Sequence, residues 1–132
     1  MLPDSVAPHF SGMRCLTTML WVGNLERSIR FYEEKLGAVV VRRDHGWNVA
    51  ALRLPCGHDL SIRQDIPGRE VVRAGLCTPY IVFQSDDPER DRNAFAHNGV
   101  TVSELQRTEG VRLFWFADPD ENQFCVLQFI YE

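Results

Sequence analysis

The sequence predicts an α+β fold built from two βαβββ modules, and three observations carry that prediction. The first is an internal repeat, because Met19-Leu20-Trp21-Val22-Gly23-Asn24 leads to Gly37 in the way that Ile81-Val82-Phe83-Gln84-Ser85-Asp86 leads to Gly99. In both units 13 residues separate the helix-cap candidate from the glycine, and the two glycines lie 62 residues apart. The second is the pattern inside each unit: one apolar strand, one capped helix, one glycine stop, then short β-rich runs. The third is size, since 132 residues with 45% hydrophobic and 24% charged side chains suit one globular domain or two small repeated units with a packed core.

The elements follow in order. Residues Met1 to Met13 form an N-terminal arm with two prolines and no basic start before an apolar run, so they do not read as a signal peptide, and a cytoplasmic location is expected. The first module covers residues 14–64. Asn24 caps a helix in which Leu25, Ile29, Tyr32 and Leu36 share one face, and Gly37 ends it in the left-handed conformation. Strands are expected near 38–43, 47–54 and 58–63, separated by His45-Gly46 and Pro55-Cys56-Gly57. Residues 65–77, with Pro67-Gly68, form a linker. The second module, residues 78–132, has a helix from Asp87-Pro88 to Gly99 with a weaker stripe of Ala94 and Phe95. Its later strands are expected near 100–104, 111–117 and 123–130, the last two joined by Asp118-Pro119-Asp120-Glu121-Asn122.

Composition excludes several functions. With 14 basic against 18 acidic residues the formal charge is −4, so nothing attracts a phosphate backbone and no nucleic-acid partner is expected. No apolar run approaches the ~20 residues that a membrane helix requires, so no membrane partner is expected either. Cys15, Cys56, Cys77 and Cys125 show no paired metal or redox spacing and are expected to be buried free thiols.

The run from Met13 to Tyr32, MRCLTTMLWVGNLERSIRFY, resembles the opening module of bacterial glyoxalase I and its relatives, and Asp118-Pro119-Asp120-Glu121-Asn122-Gln123-Phe124-Cys125-Val126-Leu127 is similar to the closing hairpin and strand. These proteins form the vicinal oxygen chelate superfamily, with bleomycin-resistance proteins and extradiol dioxygenases. The resemblance covers about residues 13–130 and implies strands that curl around a cleft, commonly completed by a second subunit, so a homodimer is expected.

In the metal enzymes of that superfamily four side chains bind one divalent ion. Their positions fall here on Thr17, Ser61, Tyr80 and Cys125. Nickel, zinc and iron sites of this kind need imidazole nitrogen and carboxylate oxygen, so no metal and no cofactor are expected. An alternative cluster of Asp44, His45, Cys56, His58 and Asp59 either binds a relocated metal or consists of solvated turn residues.

Taking Thr17 as facing the cleft, alternation sends Met19 and Trp21 inward while Leu16, Leu20 and Val22 face the helix. Tyr80, Val82 and Gln84 then face inward from the matching strand, and Gln123, Cys125 and Leu127 from the last. The expected ligand-binding cleft is thus Thr17, Met19, Trp21, Trp47, Ser61, Arg63, Tyr80, Val82, Trp115, Gln123 and Cys125. Such an apolar lining with sparse polar groups suits a small organic molecule, whereas the other reading makes the aromatics a core plug. Arg63, the cation nearest the cleft, either meets a ligand carboxylate or phosphate or is an exposed strand-end residue. The leading function is metal-independent sequestration of an aromatic or amphipathic ligand. The alternative is a glyoxalase-like lyase or isomerase, or a dioxygenase, with a relocated metal or with Tyr80, Cys125 or His58 as acid–base groups. Glu121 occupies the usual glycine of the family's turn, so the left-handed strain is expected to pass to Asn122 or the hairpin to differ.

Overall fold

The computed structural model describes residues 12–130; most of the expected N-terminal arm lies outside them. Two sheets and two helices form an α+β fold with no closed barrel. The first module runs β1 (Thr18–Val22), α1 (Leu25–Leu36), β2 (Val39–Asp44), β3 (Val49–Arg53) and β4 (Asp59–Gln64). The second runs β5 (Ile81–Gln84), α2 (Pro88–His97), β6 (Thr101–Val102), β7 (Gln106–Thr108), β8 (Val111–Ala117) and β9 (Gln123–Phe129).

The sheet orders are β1-β4-β3-β2 and β5-β9-β8-β6, with β7 also on β8. In each module the first strand pairs in parallel with the last, β1 with β4 and β5 with β9, while the remaining ladders are antiparallel. The expected strand near 100–104 is two residues long and is followed by β7, whose polar Gln106-Arg107-Thr108 carries no strand signal and is held by its pairing to β8.

Local chemistry explains both helices. Asn24 Oδ1 accepts from the Arg27 N–H at 3.0 Å, Glu26 lies in the first turn and Lys35 in the last, and each charge complements the helix dipole. Gly37 takes φ +70 and its N–H donates to the Tyr32 carbonyl. On α2, Asp87 caps the Arg90 N–H and Pro88 is the first helical residue. Phe95 packs on Phe114 and Phe116, but Ala94 is exposed.

One core serves both modules. Leu20, Val22, Ile29, Tyr32, Leu52, Leu60 and Ile62 of the first join Phe114, Phe116, Phe124 and Val126 of the second. Leu16 is 82% exposed, contrary to expectation, because it lies ahead of β1 and reaches no helix. Three of the four cysteines likewise depart from the buried reading. Cys15, Cys56 and Cys77 are exposed, since they sit before β1, in the β3–β4 turn and in the connecting segment; only Cys125 is buried.

The joint between modules is the Asp118–Asn122 turn. The buried Tyr32 hydroxyl donates to Asp118 Oδ2 at 2.8 Å, and the same carboxylate accepts from Asn122 Nδ2 and from the Asp120 and Asn122 N–H groups. Asn122 also donates to the Trp21 carbonyl and accepts from the Ala74 N–H. Arg27 pairs with Asp120 at 2.7 Å. Gly23 leaves room for this pair, because a Cβ on it would stand 2.8 Å from Asp120 Oδ1 and push that carboxylate aside. Glu121 itself takes the left-handed conformation, φ +67, so the strain does not pass to Asn122, whose backbone N–H and side chain are committed to Asp118. Among the described residues no helix is long and apolar enough to cross a membrane.

Candidate functional site

Each sheet has one face on the shared core and one face turned away from it. The first module's outward face carries Thr17, Met19 and Trp21 beside Ser61 and Arg63, since β1 and β4 register Met19 with Ser61 and Trp21 with Arg63. The second module's outward face carries Tyr80 and Val82 beside Gln123, Cys125 and Trp115, with Val82 and Trp115 both opposite Cys125.

The structure gathers these residues into two half-sites. In the first, the hydroxyls of Thr17 and Ser61 are 3.0 Å apart and hydrogen-bonded to each other. Next to them the Arg63 guanidinium stands 5.1 Å from the ring centroids of both Trp21 and Trp47, inside cation–π range. In the second, the rings of Tyr80 and Trp115 pack with centroids 4.8 Å apart, and burial pushes the Cys125 thiol's pKa up, which keeps it protonated and poorly nucleophilic. No ring contact joins the two groups among the described residues.

In the single chain Met19 (46%) and Tyr80 (38%) are exposed, and Trp21 and Trp115 are partly buried. The apolar cavity of about 360 Å³ elsewhere is lined by Leu36, Leu54, Phe83, Phe95 and Phe116, on the core side where the modules meet, and of the residues expected to face the cleft it touches Gln84 alone. A second groove of about 380 Å³ touches Trp115 and Gln123 beside Leu76 and Ser103.

The donor set does not fit the family's metal. Thr17 and Ser61 offer neutral hydroxyls hydrogen-bonded to one another, Tyr80 a phenol and Cys125 a buried protonated thiol, where carboxylate and imidazole are required. The relocated cluster is not assembled. Asp59 is taken by Arg53, a hydrogen bond that lowers its pKa, Asp44 accepts from the Trp47 N–H, His58 Nε2 lies 3.3 Å from Thr18 Oγ1, and Cys56 is exposed. Among the described residues no three His, Cys, Asp or Glu side chains converge as metal ligands do.

Arg63 is neither exposed nor at the end of its strand, since it is partly buried and β4 continues to Gln64. Asp44 is the residue whose part in this site the sequence reading missed. Its carboxylate holds the Trp47 N–H at 3.1 Å and fixes the turn that brings the indole to Arg63. An Asp three residues before the Trp, across His45-Gly46, is the signal that marks it, since Asp side chains readily accept from nearby backbone N–H groups.

Comparison with known proteins agrees with this geometry. A family model described as the glyoxalase/bleomycin resistance protein/dioxygenase superfamily matches residues 14–126. A trivalent organoarsenical cleaving enzyme from Bacillus sp. (strain MD1) is 29% identical over 109 residues, 78% of this chain and 65% of that enzyme. The chain thus spans slightly less than two thirds of this curated relative's length. Among solved structures, the integron cassette protein HFX_CASS4 from the mobile metagenome of Halifax Harbour sewage outfall superposes with a TM-score of 0.72 at 20% identity, covering 88% of this chain and 98% of that one. TnmS3, an antibiotic-binding protein from Streptomyces sp. CB03234, gives 0.69 at 20% identity, covering 89% and 97%. Paired parallel first and last strands, the twofold βαβββ order, the Asp118–Asn122 turn and the family match over residues 14–126 lead to one conclusion: this chain belongs to the glyoxalase/bleomycin resistance protein/dioxygenase superfamily, also called the vicinal oxygen chelate superfamily.

Proposed function

We propose that this protein is a metal-independent binding protein that sequesters an aromatic or amphipathic organic molecule, working as a homodimer in which the half-sites of two copies close a cleft. The observation that carries the reading is the hydrogen bond between Thr17 and Ser61. Two of the family's metal positions hold neutral hydroxyls hydrogen-bonded to one another, and the surrounding face is aromatic and half-exposed, as a preformed ligand surface is. Fold-level likeness to an antibiotic-binding protein is in keeping with this. The 29% identity to an organoarsenical cleaving enzyme favours a second reading, an enzyme of the same superfamily.

All three tryptophans of the chain, Trp21, Trp47 and Trp115, lie on the half-sites, so indole fluorescence reports on them directly. Protein purified without chelator or affinity tag is expected to carry far less than one Ni, Zn, Fe, Mn or Co ion per chain by mass spectrometry, to sediment as a dimer, and to bind the neutral dye N-phenyl-1-naphthylamine saturably with tryptophan quenching. About one ion per chain overturns the metal-free reading, and absence of saturable dye binding overturns the cleft.

A further inference from the structure

We propose that Arg63, held against the indoles of Trp21 and Trp47, is the anchor for a carboxylate or related oxyanion on an aromatic ligand. The inference rests on the cleft reading above and adds the charge of the molecule bound.

The geometry around Arg63 is that of a cation prepared for an anion it does not yet have. Its guanidinium carbon lies 5.1 Å from each of two indole centroids, so stacking constrains a side chain that would otherwise lose rotamer freedom on binding. Stacking uses the π-faces of a guanidinium and leaves its in-plane N–H groups for bidentate recognition of an oxyanion. The terminal N–H groups are unused, since Arg63 makes no hydrogen bond or ion pair among the described residues; its Nε, also without a partner, is buried.

The neighbours leave the charge uncompensated. On the same face Arg53 and Asp59 neutralise each other through two hydrogen bonds. Asp44 lies in register across β3, opposite Val49 as Arg63 is, about 10 Å away at two strand spacings, and its carboxylate accepts from Trp47. Arg42 adds a further positive charge through its register with Ala51. Among the described residues the second module's outward strand positions, Tyr80, Val82, Trp115, Gln123 and Cys125 at their centre, hold no carboxylate that a second copy presenting that face could offer as counter-ion. Arg112 also has a buried unpartnered Nε, but its register with Gln128, which donates to the Asp86 carbonyl, puts it on the opposite side of the sheet.

The test compares two dyes of one aromatic skeleton: 8-anilinonaphthalene-1-sulfonate, which carries an anion, and N-phenyl-1-naphthylamine, which does not. The wild-type protein is expected to bind the sulfonate about tenfold or more tighter than the neutral dye. Arg63→Gln is expected to weaken sulfonate binding about tenfold or more and neutral-dye binding by much less, so that the preference disappears. Arg63→Lys keeps the charge without the planar fork and should retain only part of the preference. If both dyes bind wild type equally, or Arg63→Gln leaves the preference intact, the anion anchor is overturned and the cleft reading stands. If neither dye binds, both fall. If Arg63→Gln converts dimer to monomer with sulfonate affinity unchanged, Arg63 belongs to the chain–chain contact and the proposal is overturned.

Discussion

Glu121 takes φ +67 where a residue without a Cβ is at ease, and the left-handed region costs a side-chain-bearing residue about 1–2 kcal/mol. Part of that cost is offset because glycine loses more entropy on folding. Glu121→Gly is therefore expected to raise stability by about 0.5–1 kcal/mol, read from chemical denaturation midpoints at unchanged slope. Tyr32 is the opposite case, a residue whose polar atom is fully committed. Burial first, and then the Asp118 carboxylate beside it, push its phenol pKa well above the usual 10.0. Tyr32→Phe removes one of four hydrogen bonds to Asp118 and is expected to cost about 1–2 kcal/mol near neutral pH. The sign of the pH dependence follows from the raised value. Above about pH 10 the unfolded chain releases this proton while the folded chain keeps it, so the wild type loses stability as pH rises. The variant lacks that loss, and the gap between the two denaturation curves should narrow with alkalinity.

At the level of elements, what was legible in the sequence is what local chemistry decides. Asn24, Gly37, Asp87 and Pro88 each announce a helix end through their own side chain or backbone, and α1 begins and ends, and α2 begins, where those signals stand; α2 stops at His97 with Asn98 as its cap, short of the expected Gly99. The strands flanking short turns were legible for the same reason. β7 was not, since Gln106-Arg107-Thr108 has neither alternation nor β-branched weight beyond Thr108 and exists because β8 offers it hydrogen-bond partners. The candidate site divides along the same line. Resemblance gives Thr17, Ser61, Tyr80 and Cys125, alternation from Thr17 adds Met19 and Trp21 to its face of β1, and the β1–β4 register sets Met19 and Trp21 beside Ser61 and Arg63. The meeting of Trp47 with Arg63 depends on the turn before β3 and on the β3–β4 ladder together, which no single segment encodes.

For the whole molecule, the notable fact is that the two repeats are not two independent domains. The core is continuous across them, and Asp118, Asp120 and Asn122 of the second repeat hold Tyr32, Arg27 and the Trp21 carbonyl of the first. Residues 1–77 alone would leave a buried phenol hydroxyl without its acceptor and expose the apolar side of α1 that faces Phe124. That fragment is expected to show no cooperative thermal transition by circular dichroism, whereas the full chain unfolds in one step. A cooperative transition in the fragment would show that the Asp118–Asn122 turn is dispensable.

The parallel pairing of first and last strands sets a timetable for synthesis. As the chain leaves the ribosome, β1 has no partner until β4 emerges, because Thr18 waits for Leu60. Tyr32 waits longer still, across 86 positions, for Asp118. Both parallel ladders and the Tyr32–Asp118 bond are of this distant kind, which slows folding, and Met19-Leu20-Trp21-Val22 stays an unpaired apolar strand until residues 59–64 have been made. That interval is when the nascent polypeptide is most open to aggregation and to capture by chaperones.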